Sequence, residues 1–313
     1  MVRFATRWLV TSLLLLLFVS AFTFVLVSLI PGDAARSILG QSGSREQYLQ
    51  LRQQLGLDDA LPAQYWHWLH GAVQGDVGSS ITSGEPVGSM LSGRIGVTLS
   101  LVASSVVVAG GLGVALGVAG ALRGGWIGRA IDVLSLAGLA LPSFWLGLVL
   151  VAIFAVKLGW LPATGYTPLG DSPVDWLRSL VLPAVTMGVG CAAVIAKQTR
   201  DAMRETLAKD YIFALRARGV SERSVIYRHA LKNAAIPVTT VLGLVVAGLF
   251  SATVLVEQVF ALPGLGSLAV QATADHDLPV IEALVLFFTA MVTTVNLLVD
   301  LAYVRLNPKV RAA

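Results

Sequence analysis

Six long blocks without Asp, Glu, Lys or Arg dominate this chain, at residues 8–32, 95–122, 133–156, 179–196, 233–256 and 283–299. Each approaches the roughly 20 residues an α-helix needs to cross a hydrocarbon core. Within a bilayer an isolated segment must satisfy its own backbone polar groups, and a helix does so. The sequence therefore predicts an all-α integral membrane protein with six transmembrane helices. Composition agrees, because only 13% of the residues are charged, about half the share of an ordinary soluble domain. Arg3 and Arg7 precede the first block as they would in a signal peptide. That block outruns a signal core of about 7–15 residues and has no convincing small-residue cleavage site, so it is read as a retained helix.

Lysine and arginine set the expected orientation. One set of loops and ends holds Arg3, Arg7, Arg123, Arg129, the basic residues of the run 197–232, and Arg305, Lys309 and Arg311. The alternate set holds only Arg36, Arg45, Arg52, Arg94, Lys157 and Arg178, although it includes the longest loop. The positive-inside rule puts the first set, and with it both termini, in the cytoplasm. The net charge of +4 is then topology-setting rather than a sign of nucleic-acid binding. The expected organisation is a cytoplasmic end and first helix (1–32), an external loop (33–94), and a core of five helices (95–313) carrying a long cytoplasmic loop (197–237).

In the external loop, Tyr48, Leu51 and Leu55 have helical spacing. Tyr65, Trp66 and Trp68 follow as candidate anchors at the lipid headgroups. His67 and His70 lack a third ligand nearby, and Cys191 has no partner. No metal site and no disulfide are expected.

The loop 197–237 is too long for a plain connection. Met203, Leu207, Tyr211 and Leu215 recur every four residues among charges, which predicts an amphipathic helix. Gly219 suits its C-terminus, and Ser221 can cap a following short helix whose apolar face is Val225, Ile226 and Ala230. Such a stripe needs a cover. Either an anionic lipid surface or a groove on a partner protein would supply one.

Within the third block Pro142 removes a backbone hydrogen bond and predicts a kink. Freed carbonyls are tolerated in membranes where they line a cavity or are buried in protein. Pro142, Ser143 and Phe144 are therefore candidates for the border of a pathway, a purely structural kink being the alternative. Glu257, at the outer end of the fifth block, is an ionisable candidate for the same role unless it lies at the surface. Pro263, Gly264 and Gly266 predict a tight external turn or re-entrant element that gates the outer mouth.

The run YIFALRARGVSERSVIYRHALKNAAIP resembles the coupling-loop motif of ATP-binding-cassette importer permeases, with Ala214 and Gly219 on its alanine and glycine positions. The version here resembles the dipeptide, oligopeptide and nickel branch. Phe213 departs from the motif's glutamate, Leu215 from its second alanine, and Lys232 from its proline. LIPGDAA, LGLDDALPAQYWHWLHGAVQGDVGSS, LALPSFWLGLVL, VLVEQVFALPGLGSL and NLLVDLAYVRLNPKVR resemble the same branch in order, so the likeness runs nearly end to end.

The resemblance implies a type I importer permease fold. It further implies a second homologous permease subunit, two cytosolic ATPase subunits or domains, an external substrate-binding protein, and import of peptides. Nickel and glutathione-like compounds are the alternatives in the same class. Ala214, Leu215, Gly219, Ser221, Glu222, Val225, Arg228 and His229 become the expected ATPase-coupling residues. A P-loop needs Gly-Lys-Ser/Thr, and no lysine here follows a glycine, so ATP and Mg are expected on the partner subunits and no catalytic residue in this chain. A stand-alone secondary transporter or channel would carry more polar residues deep in its spans. An intramembrane protease would need a histidine at membrane depth, whereas His67, His70, His229 and His276 lie in loops.

Overall fold

The computed structural model describes residues 2–29, 35, 39, 44–54, 56–123, 128–130, 133 and 141–306. Among these, helix prevails, and extended pairing is confined to a bridge between Ser79 and Pro86. The helices are α1 (Val2–Ser28), α2 (Arg45–Gln54), α3 (Leu61–Val73), α4 (Val87–Leu122), α5 (Ser143–Leu150), α6 (Pro173–Leu207) and α7 (Asp210–Ala217). They are followed by α8 (Leu231–Val259), α9 (Leu265–Ala274) and α10 (Leu278–Leu306).

Among the described residues, five segments are long and apolar enough to cross a membrane: Trp8–Ser28, Val87–Leu122, Pro173–Leu207, Glu222–Val259 and Leu278–Tyr303. They contain five of the six expected blocks almost entirely. The remaining block appears as a shorter apolar helix, Ser143–Lys157, whose last turns are π-helical from Val151; residues 134–140 of that block lie outside the described ones. Pro142 does not kink a helix. It stands at the N-cap of α5 with φ −60° and ψ 129°, where a missing N–H breaks no intrahelical bond. Among the described residues, the prolines in helix interiors are Pro183 in α6 and Pro237 in α8.

The chain forms two compact units, Met1–Thr98 with Pro263–Thr293, and Leu99–Leu262 with Thr294–Ala313. In the first, Val87 and Leu91 of α4 pack with Leu265 and Leu268 of α9 and with Val280 and Leu284 of α10. Tyr65 of α3 is not a free headgroup anchor. Its ring meets Phe24 of α1 edge-on at 5.5 Å, and its hydroxyl shares a 2.8 Å hydrogen bond with Ser20. Trp66, by contrast, is 64% exposed.

In the second unit, small residues allow close helix contact. A Cβ on Gly113 would stand 2.6 Å from the Ile195 Cβ, and one on Gly117 would stand 2.7 Å from the Ala196 carbonyl oxygen. The Gly113-x-x-x-Gly117 face of α4 therefore lies directly on the backbone of α6, the arrangement that favours helix association in lipid, where no hydrophobic force drives it. Further along, Ala202 and Met203 of α6 are buried with Ala230 and Ala234, joining α6 to the start of α8.

Candidate functional site

The segment after α6 gives the chain its most distinctive surface. The expected single amphipathic helix is interrupted. Lys209 turns to φ −78° and ψ 144°, ending α6 and starting α7, so the apolar stripe does not continue along one axis. Met203 and Ile212 are buried, whereas Tyr211 is exposed and accepts a 2.9 Å hydrogen bond from the Asn233 amide. The chain thus covers part of its own stripe.

α7 ends as the sequence predicts. Gly219 has φ +78°, its N–H donates to the Arg216 carbonyl at 2.9 Å, and the Val220 N–H donates to the Leu215 carbonyl at 3.1 Å. These two bonds are the Schellman closure, which a glycine in the left-handed region permits. Ser221 occupies the next N-cap position, but its side chain makes no capping bond; Val225 N–H reaches its carbonyl at 3.0 Å instead. The expected separate short helix is also absent. One turn (Glu222–Ser224) and a π-helical stretch (Val225–Ala230) run directly into α8, so the turn is rigidly continuous with a membrane-length helix.

Of the expected coupling residues, Val225 is buried and Leu215 and His229 are half-buried, while Ala214, Gly219, Ser221, Glu222 and Arg228 are exposed. Ser221, Arg223, Ser224, Tyr227 and Arg228 line a concavity of about 420 Å³. Phe213 and Tyr227 are each 57% exposed. This surface offers cations and two aromatic rings on a fixed turn, which suits a protein partner's groove or acidic rim.

The other candidates fall in different places. Ser143 lines a cavity of about 350 Å³ with Thr186, Met187, Cys191, Gly248 and Leu249. Pro142 and Phe144 are exposed and are not among its lining residues. Glu257 is fully buried in α8, which removes the surface alternative. Gly264 is the N-cap of α9, Gly266 is buried in its first turn, and the Leu265 N–H donates to the Thr98 hydroxyl at 2.8 Å. Pro263 immediately precedes that cap. At ten residues α9 is too short to cross a bilayer. The glycine face of α4 escaped the sequence reading, although its four-residue spacing was visible.

Residues 111–312 match the family model described as "Binding-protein-dependent transport system inner membrane component", and residues 1–102 match the companion N-terminal model of such membrane components. The chain belongs to this family. It is a multi-pass permease subunit of an ATP-binding-cassette importer in the inner membrane, and its membrane-length helices accord with that. A Brucella abortus (strain 2308) protein named for a peptide transport system permease is 40% identical over 297 residues, 95% of each chain. A Sinorhizobium fredii protein named for a peptide ABC transporter permease is 37% identical over 306 residues, 97% of this chain and 98% of its own. The glutathione transport system permease protein GsiC of Salmonella typhi is 40% identical over 297 residues, 95% of this chain and 94% of its own.

Proposed function

We propose that this permease forms half of a translocation pathway for di- or oligopeptides delivered by an external binding protein. Its counterparts are a second homologous permease subunit and two cytosolic ATPases, which carry ATP and Mg. The observation that carries the peptide reading is the near full-length identity to relatives named for peptide transport. Glutathione is the second reading, favoured by the equal identity of the Salmonella typhi relative.

In this reading the chain has six spans with both termini inside, and the turn from Ala214 to His229 receives the ATPase. ATPase closure moves Ser221, Glu222 and Arg228, and the continuous helix from Glu222 to Val259 transmits that displacement into the membrane as a rigid-body rotation. The ATPase drives transport because its closed state favours one arrangement of the bundle. Ser143, Pro142, Phe144 and Glu257 border the pathway, and Pro263, Gly264 and Gly266 form part of its outer gate.

The test is uptake by the complete complex in proteoliposomes, with labelled dipeptides and labelled glutathione offered through the binding protein. Accumulation that requires ATP and every subunit is expected, with the preferred cargo deciding between the two substrates. Gradient-driven accumulation by this chain alone overturns the reading.

A further inference from the structure

Glu282 sits one turn into α10 and is 1% exposed, and among the described residues neither of its carboxylate oxygens has a hydrogen-bond partner. It lines a cavity of about 170 Å³ in the first unit, with Phe24 of α1, Gln64, His67 and Trp68 of α3, and Asp59 just before α3. The indole N–H of Trp68 is likewise buried and unpartnered. The Gln64 amide N–H groups are turned to the backbone, donating to the Asp59 carbonyl at 2.8 Å and the Leu57 carbonyl at 3.4 Å.

A carboxylate taken out of water without a counter-group is strongly disfavoured. Protonation would remove the charge but would add an O–H donor that itself needs an acceptor. The cavity holds no Lys or Arg among its lining residues. It combines the buried carboxylate with a second, exposed one at Asp59 and with the rings of Trp68 and Phe24. Carboxylates and aromatic faces together attract a compact cation that carries N–H donors. Its volume admits several water-sized groups, which suits a small ammonium head rather than a whole oligopeptide.

We infer that this cavity binds a small primary ammonium group, held by Glu282 against the Trp68 and Phe24 rings. Two sources share this chemistry: the free amino terminus of a peptide, and a free small amine. The first rests on the peptide-import reading; the site itself does not.

The test is equilibrium binding to the purified full chain in nanodiscs, with methylammonium, alanyl-alanine and N-acetyl-alanyl-alanine as probes, read by saturation-transfer NMR. Methylammonium should bind, and Glu282→Gln should weaken it roughly tenfold or more, the size expected when a charge-assisted bond is lost. If alanyl-alanine also binds in a Glu282-dependent way and its N-acetyl form does not, the peptide terminus is a source; binding of methylammonium alone assigns the site to free amines. Failure of the wild-type chain to bind either amine, equal binding of the acetylated peptide, or unchanged binding in Glu282→Gln each overturns the site. The wild-type comparison stands even if a variant misfolds. Because no ATPase is needed, a failed uptake assay and a failed binding assay are separate results.

Discussion

Arg216 and Glu222 clasp the turn between α7 and the segment leading into α8, with Arg216 Nε 2.6 Å from Glu222 Oε1 and Nη2 3.3 Å from Oε2. The two side chains are 38% and 60% exposed, and an exposed pair of this kind contributes only about 0–1 kcal/mol. The clasp records the turn more than it causes it. Gly219 causes it, by holding φ at +78° between them.

Substitution at Gly219 should therefore follow backbone tolerance, not size, at least at first. A Cβ built there meets nothing within 4 Å, so Gly219→Ala carries only the left-handed penalty of about 1–2 kcal/mol. Gly219→Asn should be the mildest change, since asparagine visits that region, and Gly219→Val the most severe. In the reconstituted complex, ATP-driven uptake should fall in the order Asn, Ala, Val while the amount of protein in the membrane stays constant. Full uptake with Val would remove the coupling role.

The helix contact in the second unit predicts a sharper contrast. A Cβ on Gly117 would lie 2.5 Å from the Thr199 Cβ and 2.7 Å from the Ala196 carbonyl oxygen, whereas one on Gly111 meets nothing within 4 Å. Gly117→Ala must push α4 from α6 and should destabilise by about 1–3 kcal/mol, the usual range for overpacking. Gly111→Ala should be neutral or slightly stabilising. Denaturation midpoints of the two variants in one detergent would check this, and equal midpoints would contradict the close packing.

These features differ in how visible they were in the sequence. Hydropathy runs exposed five spans because bilayer solvation acts on composition, which the sequence displays directly. Gly219 was visible for a related reason: its role is a local backbone property. The break at Lys209 was not, because the four-residue period from Met203 to Leu215 continues through it and only tertiary burial of Ile212 shows that the axis changes. Pro142 misled because proline inside a long apolar block reads as a kink, yet it can equally begin a helix. Glu282 was passed over as the charge that bounds the sixth block, and the cavity it lines is shared with α1 and α3, which are remote in sequence.

Asp277 ties the 78–86 segment to the start of α10. Its carboxylate accepts from the Ser80 hydroxyl, from the Ile81 N–H at 3.1 Å and from the Thr82 hydroxyl at 3.3 Å. Asp277 and Ser80 are both buried, so Asp277→Ala strands donors, at about 1–3 kcal/mol for each group left without water. Asp277→Asn keeps one acceptor oxygen and should lose less. Amide exchange at residues 80–83 should accelerate most in the alanine variant and by an intermediate amount in the asparagine one. Unchanged exchange in both would mean that the segment is held elsewhere.

The cavity beside Ser143 separates a wet pathway from a dry packing void. It is bordered by Cys191, the single cysteine of the chain, so the native protein already carries a reporter. Apolar cavities of this kind can remain dry, whereas a substrate route must admit water. Charged methanethiosulfonate reagents should modify Cys191 during turnover of the complete complex. In a Cys191→Ser background, Ser143→Cys should become reactive in its place. Phe144→Cys, at a pathway position outside that lining and already exposed, should react whether or not the cavity is wet and so calibrates the reagent. If Ser143→Cys and Cys191 react with membrane-permeant N-ethylmaleimide but never with the charged reagent, the cavity is dry and Ser143 does not border the pathway. Reaction only while ATP is hydrolysed would instead tie its hydration to the transport cycle.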